Sequence, residues 1–529
     1  MGRLTIVLLA LSALLFRPQE YLNRNLILPG DDASYVAHVT SIVFFEFPDY
    51  AKEYFETGGK VPKHSIGSSL LHLPFGFAGS VADRLAGDDI VLGRSPQTLY
   101  MSWTIYGCIL STITLFWGAC LLMYSSARFL FDRTTSFWTV VCLLVVQGAP
   151  IYVYRRPLMP HVAELFVLCA LVYLLLFLRL GNARRPGAIS WAILAGCLAG
   201  LVALIRPNNA VLALAWPIVL YLRPGSGVLP RLQWKPALIA CCTLGSMILV
   251  FRFIPSLLNA GGPVGIGKYE ITAYNQLTRI HSPLYYVDRL AQLLAGTDWG
   301  LHCTAPFILI GAAAVFCFRF PLKREFGLLL CTILVNVFIV LQWPTHASFY
   351  GYRYLLFTAI PLLVVPLGCA LTRAIERWGR KAKIGLGLIC IFPVFSMLSF
   401  TLVPGLSLNH DLNPSGWINP DYQLKAWGYF LLSPVEYIYI LVQQTVGYPI
   451  ALFLEMAGLS HIYPNPLVSP LWEIKTNVPV RCFVIWALPA FLYVAARMIG
   501  LISMMTPTRI RWSNQGNGFY PDIAETIGS

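Results

Sequence analysis

Charge is scarce in this chain: only 12% of its 529 residues are Asp, Glu, Lys or Arg, about half the share of a soluble domain. Acidic charge is scarcer still, with 24 Asp and Glu against 38 Lys and Arg and a net charge of +14. Nearly all of the 13 cysteines fall inside apolar segments, with no disulfide framework and no metal-type spacing, so they act as small hydrophobes. Strict apolar/polar alternation is missing, which excludes a membrane β-barrel. No internal repeat is visible, so the inverted-repeat signature of many transporters is missing too. No Asn-x-Ser/Thr sequon (x other than Pro) occurs, which fits a bacterial inner-membrane protein.

What the chain has is apolar surface. Hydrophobic residues make up 57% of it and its mean hydropathy is +0.66. Apolar runs long enough to cross a bilayer recur, and lipid offers the backbone no hydrogen-bond partner, so continuous runs of this kind must be helical. The expectation is an all-α polytopic membrane protein. Spans are predicted at 4–16, 99–124, 137–154, 161–180, 189–205, 209–222, 236–257, 301–318, 326–343, 354–371, 384–404 and 482–504, about twelve by length and apolarity. The first is short enough to resemble the core of a secretion signal, but no small-residue cleavage site follows it, and an uncleaved helix is preferred. Two stretches between the first and second spans have helical spacing with a polar face: 35–47, and 68–84 after the turn Lys63-His64-Ser65-Ile66-Gly67. Both are predicted as amphipathic helices lying in the interface.

The basic residues do not form one patch, which argues against nucleic acid. They sit in alternate short loops: Arg128/Arg133, Arg179/Arg184/Arg185, Arg223/Arg231/Lys235, Arg319/Lys323/Arg324 and Arg373/Arg377/Arg380/Lys381/Lys383, with Arg509 and Arg511 in the tail. That bias places these loops and the N-terminus in the cytoplasm. The opposite face then carries most carboxylates and three exposed stretches, at 29–96, 259–300 and 405–481. The last is rich in Trp and Tyr, and its apolar part 434–456 is expected to be interfacial or re-entrant. The chain divides into a transmembrane region 1–404 with its outer loop 29–96, an outer-face segment 405–481, and a last span with tail 482–529.

On that outer face Pro29-Gly30-Asp31-Asp32-Ala33-Ser34-Tyr35 places two adjacent carboxylates before a helix. Three readings are open. Asp is an ordinary helix N-cap and suits the helix dipole. A carboxylate beside a low-dielectric interface can serve as a general base. Paired carboxylates also have the oxygen chemistry of a Mg or Mn site, with Asp31 and Asp32 as ligands.

The wider pattern resembles the first outer loop of the GT-C superfamily of membrane glycosyltransferases, in its bacterial protein-mannosyltransferase-like and aminoarabinose-transferase-like branches. There an acidic pair after the first helix precedes an amphipathic helix, a Gly-rich turn and a Leu-Leu-x-x-Pro-Phe/Tyr segment. Here the turn starts at Gly67, and Leu70-Leu71-His72-Leu73-Pro74-Phe75 follows. Downstream, Arg206-Pro207, Thr297-Asp298-Trp299-Gly300-Leu301 with Pro306, and Phe349-Tyr350-Gly351-Tyr352-Arg353-Tyr354-Leu355 are similar to further family segments. The likeness extends to about Leu371. The second acid is Asp32 where relatives often have Glu, which reaches one methylene further.

The resemblance implies a GT-C-like bundle and transfer of a sugar from a polyprenyl-phosphate donor to an outer-face acceptor: a surface glycan, lipopolysaccharide or protein. Asp31 is the expected base, inversion the expected outcome, and Asp32 the less certain partner. The leaving phosphate needs cations, and the candidates on the outer face are Lys63, His64, Arg155, Arg156, Arg206, Lys268 and Arg353. Each basic residue at a span end has a competing role as a headgroup anchor, and His72 and His161 are more often structural than catalytic. Two other functions fit many spans: a transporter or flippase of lipid-linked sugars, and a glycan ligase or polymerase that works without the Asp pair.

Overall fold

The computed structural model describes residues 2–15, 31–48, 50, 62, 64–86, 102–180, 188–223, 231–254, 279–297, 299–342, 352–402, 422–459, 461–462, 512–515 and 518–521. Expectations for Asp49, Lys63, Lys268, Asp298, 343–351, 403–421 and the span 482–504 fall outside them, as does the side chain of Asp31.

Helix α1 (Gly2–Leu15) is followed by the two outer-loop helices, α2 (Asp31–Val43) and α3 (Gly67–Leu85). Next come α4 (Trp103–Arg128), α5 (Arg133–Val140) with a π turn at Val141–Val145, and α6 (Ala149–Tyr154). Then follow α7 (His161–Leu180), α8 (Ala188–Ile205), α9 (Ala210–Tyr221) and α10 (Trp234–Ile248), which a π turn extends through Leu249–Phe253. After the amphipathic α11 (Pro283–Ala295) and the single turn α12 (Leu301–Thr304) stand α13 (Pro306–Cys317), α14 (Lys323–Gln342), α15 (Arg353–Leu362), α16 (Val364–Trp378) and α17 (Arg380–Leu402). Helices α18 (Tyr422–Leu432), α19 (Pro434–Val442) and α20 (Tyr448–Met456) close the helical part, the last two joined through a π turn. Two short antiparallel pairs complete it, 222–223 with 231–232 and 512–515 with 518–521.

The chain is thus an all-α polytopic membrane protein. Five described helices are long and apolar enough to cross a bilayer, or six if the bent pair α15–α16 counts as one span. Fewer than the twelve expected are found among the described residues: 482–504 lies outside them, and several of the other apolar stretches are broken or short. The stretch 137–154 is interrupted at Gln147-Gly148, where Gly148 takes φ 60°. The stretch 301–318 breaks before Pro306. α15 and α16 meet at 61°, where Pro366 has no N–H to give the carbonyl one turn earlier.

Burial separates inner from outer helices. In α4 78% of the apolar window is buried, in α7 72%, but in α10 only 17%, so α4 and α7 form the centre while α10 keeps much of its surface exposed. Without a hydrophobic drive between helices in lipid, close approach needs small residues. A Cβ on Gly79 would lie 2.2 Å from the carbonyl of Trp103, and one on Gly107 2.2 Å from that of Phe75, so α3 lies backbone-to-backbone on α4. Asp83 locks the same contact by accepting from the amides of Trp103 and Thr104 at 2.6 and 2.9 Å, which caps α4.

Candidate active site

Five elements bring their ends together: the start of α2, the turn after α6, the start of α7, the turn after α8 and the start of α15. Asp32, in the first turn of α2, accepts from Arg156 Nε at 3.0 Å, and both side chains are buried, at 1% and 3% exposure. Arg156 sits in the turn Arg155-Arg156-Pro157, which Thr112 of α4 pins by donating to the carbonyl of Pro157 at 2.5 Å.

Arg206 follows α8 directly. Its Nε forms an ion pair with Glu164 Oε2 at 2.8 Å, and its Nη2 donates to His161 Nδ1 at 2.5 Å. Nη2 also lies 3.2 Å from Nε2, and because a guanidinium can only donate, whichever ring nitrogen accepts is the unprotonated one. Glu164 is fully buried and also accepts from Asn209 Nδ2 at 2.8 Å and Thr358 Oγ1 at 2.7 Å. Asn209 accepts in turn from Asn336 Nδ2 at 2.9 Å, and Asn336 from Asn208 Nδ2 at 2.7 Å. One buried polar chain therefore ties α7, the turn after α8, α14 and α15 around Arg206.

Arg353 opens α15, buried at 7% exposure. One turn later Phe357 stacks on His161 at 5.0 Å, with Tyr152 against the edges of both rings. His161 lies within electrostatic reach of Arg206, Arg353 and Arg156 together. Three buried arginines thus gather around one imidazole, beside the helix that Asp31 and Asp32 begin.

The Gly-rich turn has a physical reason. A Cβ on Gly67 would fall 2.3 Å from the amide nitrogen of Ile205 and 2.4 Å from the carbonyl carbon of Leu204. The first residue of α3 therefore rests on the backbone that leads into Arg206, and only glycine fits. The outer loop is also anchored from within. His38 Nε2 donates to the carbonyl of His64 at 2.8 Å and Nδ1 accepts from Tyr50 at 2.7 Å, while Ser69 donates to the carbonyl of Tyr35 at 2.8 Å. Burial lowers the pKa of His38 from 6.5 to about 4, opposed by its bond to the His64 carbonyl and aided by Arg252.

Of the expected cations, Arg156, Arg206 and Arg353 converge. His64 instead stacks on Tyr35 at 5.4 Å, and Arg155 reaches the carbonyl of Thr401 at the end of α17, 2.8 Å away. Lys63 and Lys268 lie outside the described residues. Among the described residues no three His, Cys, Asp or Glu side chains group to hold a metal ion, and Oδ2 of Asp32 is already on a guanidinium, a poor fit to a cation bridge. Glu164, Asn209, Asn336 and Thr358 were not among the expected site residues. The available signal was polar groups inside apolar spans, with Glu164 three residues after His161.

The chain is similar in fold to ArnT from Cupriavidus metallidurans bound to undecaprenyl phosphate, at 14% identity and a TM-score of 0.47, over 94% of this chain and 77% of that one. It is also similar to the oligosaccharyltransferase of Archaeoglobus fulgidus in complex with zinc and sulfate, at 14% identity and a TM-score of 0.40, over 74% of this chain and 52% of that one. The apo form of the same Archaeoglobus protein gives 13% identity and a TM-score of 0.39, over 83% and 55% of the two chains. No protein-family model and no curated protein matches. Identities this low leave each residue's role to be derived from this chain's own geometry.

Proposed function

We propose that this protein is an inverting glycosyltransferase of a bacterial inner membrane, moving a sugar from a polyprenyl-phosphate donor to an acceptor hydroxyl on the periplasmic face. The observation that carries this reading is the convergence of buried Arg156, Arg206 and Arg353 beside the acidic start of α2. A phosphate leaving group in a low-dielectric site needs fixed cationic donors, and preorganised guanidinium groups supply them without reorganisation.

In this reading the two acids divide the work. Asp32 is held by Arg156 and orients it toward the phosphate. Asp31, one residue earlier and about 100° away around the helix, is the base that takes the acceptor proton. The acceptor oxygen then attacks the anomeric carbon, the bond to the phosphate oxygen breaks, and polyprenyl phosphate departs with the electron pair against the arginines. This single displacement inverts the anomeric centre and needs no nucleophilic carboxylate. The acceptor, whether glycan, lipopolysaccharide or protein, is assigned to segment 405–481.

The test is mass analysis of surface glycans and lipid-linked sugars in a deletion strain. The expected result is loss of one sugar from an envelope component and accumulation of its polyprenyl-phosphate form, reversed by the wild-type chain but not by Asp31→Asn. Unchanged profiles would overturn the proposal. So would a lipid-linked sugar trapped on the cytoplasmic face, which means transport.

A further inference from the structure

At the opposite, basic end of the bundle, α13, α16 and α17 enclose a cleft of about 520 Å³, within the size range of ligand sites. It exists because small side chains face it: Ala314 and Cys317 from α13, Ala370 and Ala374 from α16, Ala382 and Gly385 from α17. Its wall is otherwise apolar. Its mouth is not, since Trp378 and Lys381 also line it, at the turn where Gly379 takes φ 51° between α16 and α17. Around that turn Arg373, Arg377, Arg380, Lys381 and Lys383 stand against the single acid Glu376, and Arg373 lies over the ring of Phe318 at 4.7 Å.

An apolar slot running along membrane-embedded helices, closed at headgroup level by an exposed Trp and a cationic collar, fits an occupant with a hydrocarbon tail and an anionic head. We propose that this cleft binds one anionic phospholipid of the cytoplasmic leaflet, its acyl chain against Ala370, Ala374 and Gly385 and its phosphate at Lys381 and Arg380. The collar sits on the loop side that the charge bias places in the cytoplasm, so this site is distinct from the outer-face arginine cluster and does not depend on its chemistry.

The test uses the full chain in a neutral detergent with equal amounts of phosphatidylglycerol and phosphatidylcholine, the retained lipid being counted by native mass spectrometry. One phosphatidylglycerol is expected to be retained over phosphatidylcholine by about tenfold. Ala374→Trp, which fills the slot, should abolish that retention. Lys381→Glu, an exposed change that leaves packing intact, should erase the preference between the two lipids. Equal retention of both lipids by the wild-type chain would overturn the proposal. So would displacement of the lipid by inorganic phosphate alone, which would make this a free-anion site, or a cross-link placing 482–504 in the slot.

Discussion

Arg156 donates to Asp32 at 3.0 Å across 124 residues of sequence, joining the start of the outer-loop helix α2 to the turn after α6. Both groups are buried, so removing one charge strands the other. Asp32→Asn is expected to destabilise the protein by about 3–5 kcal/mol, read as a lower melting temperature in detergent. Asp32→Asn with Arg156→Met should recover much of that stability without recovering transfer. Asp31→Asn should behave oppositely, folding normally while losing about 10²–10⁴-fold in rate, the usual contribution of a general base. Full transfer by Asp31→Asn would remove it from that role.

Glu164 holds Arg206 through Oε2 at 2.8 Å and shares Oε1 between Asn209 and Thr358. Glu164→Gln keeps the shape but removes the negative charge of a buried ion pair, so Arg206 should lose its fixed direction. If Arg206 binds donor phosphate in the ground state, KM for the donor should rise about tenfold with a smaller change in kcat. Thr358→Val removes one hydroxyl-to-carboxylate hydrogen bond and should cost about 1.5–3 kcal/mol of stability with KM unchanged. A donor titration on both variants separates the two effects.

Much of the scaffold is legible from apolar run length and a few punctuating residues. The stretch 161–180 coincides with α7, and the expected helices at 35–47 and 68–84 fall within a few residues of α2 and α3, but Ser34, His38, Thr40 and Ser41 of α2 are buried and form no exposed polar face. The failures have local causes: the π turn before Gln147 and the proline breaks at 306 and 366 divide stretches that look continuous in hydropathy. Within the site, motif likeness pointed to Arg206 and Arg353 because each opens or closes a helix beside a recognisable neighbour. It named Asp31 as the base but could not show that Asp32 is the acid that meets Arg156, since one step around a helix decides that. Nor could it find Glu164 with Thr358 and Asn336, which are joined only when α7, α14 and α15 pack.

Gly67 leaves no room for a side chain against Ile205, whose amide nitrogen would be 2.3 Å from the new Cβ. The obstacle is backbone, so it cannot rotate away. Gly67→Ala should push α3 off the end of α8 and shift Arg206. The expected outcome is transfer reduced by at least tenfold and a melting temperature several degrees lower, in line with about 1–3 kcal/mol for overpacking. Gly385→Ala is the control, since nothing lies within 4 Å of a Cβ there, and it should leave transfer unchanged.

Chelation tests the division of labour between guanidinium groups and metal. With Asp32 Oδ2 committed to Arg156, transfer is expected to persist in excess EDTA after dialysis. Loss of activity that added Mg or Mn restores would show that a cation bridges the acidic pair instead.

His72 lies on α3 at 2% exposure, and among the described residues neither ring nitrogen has a hydrogen-bond partner. Burial lowers its pKa from 6.5 to about 4, as it does that of His38. Both groups are neutral in the folded state, while the unfolded chain takes up their protons as pH falls through 6.5. The sign follows: stability from these two sites is fully present above pH 6.5 and is lost as pH falls toward about 4. Melting temperature in detergent should therefore drop across that window. His72→Leu removes one titrating group and strands no hydrogen-bond partner, so the drop should become shallower with stability at neutral pH nearly unchanged. His38→Leu also flattens the slope but loses the bonds to Tyr50 and the His64 carbonyl, so it should be less stable at every pH. An unaltered slope in His72→Leu would mean that this imidazole is hydrated and titrates normally.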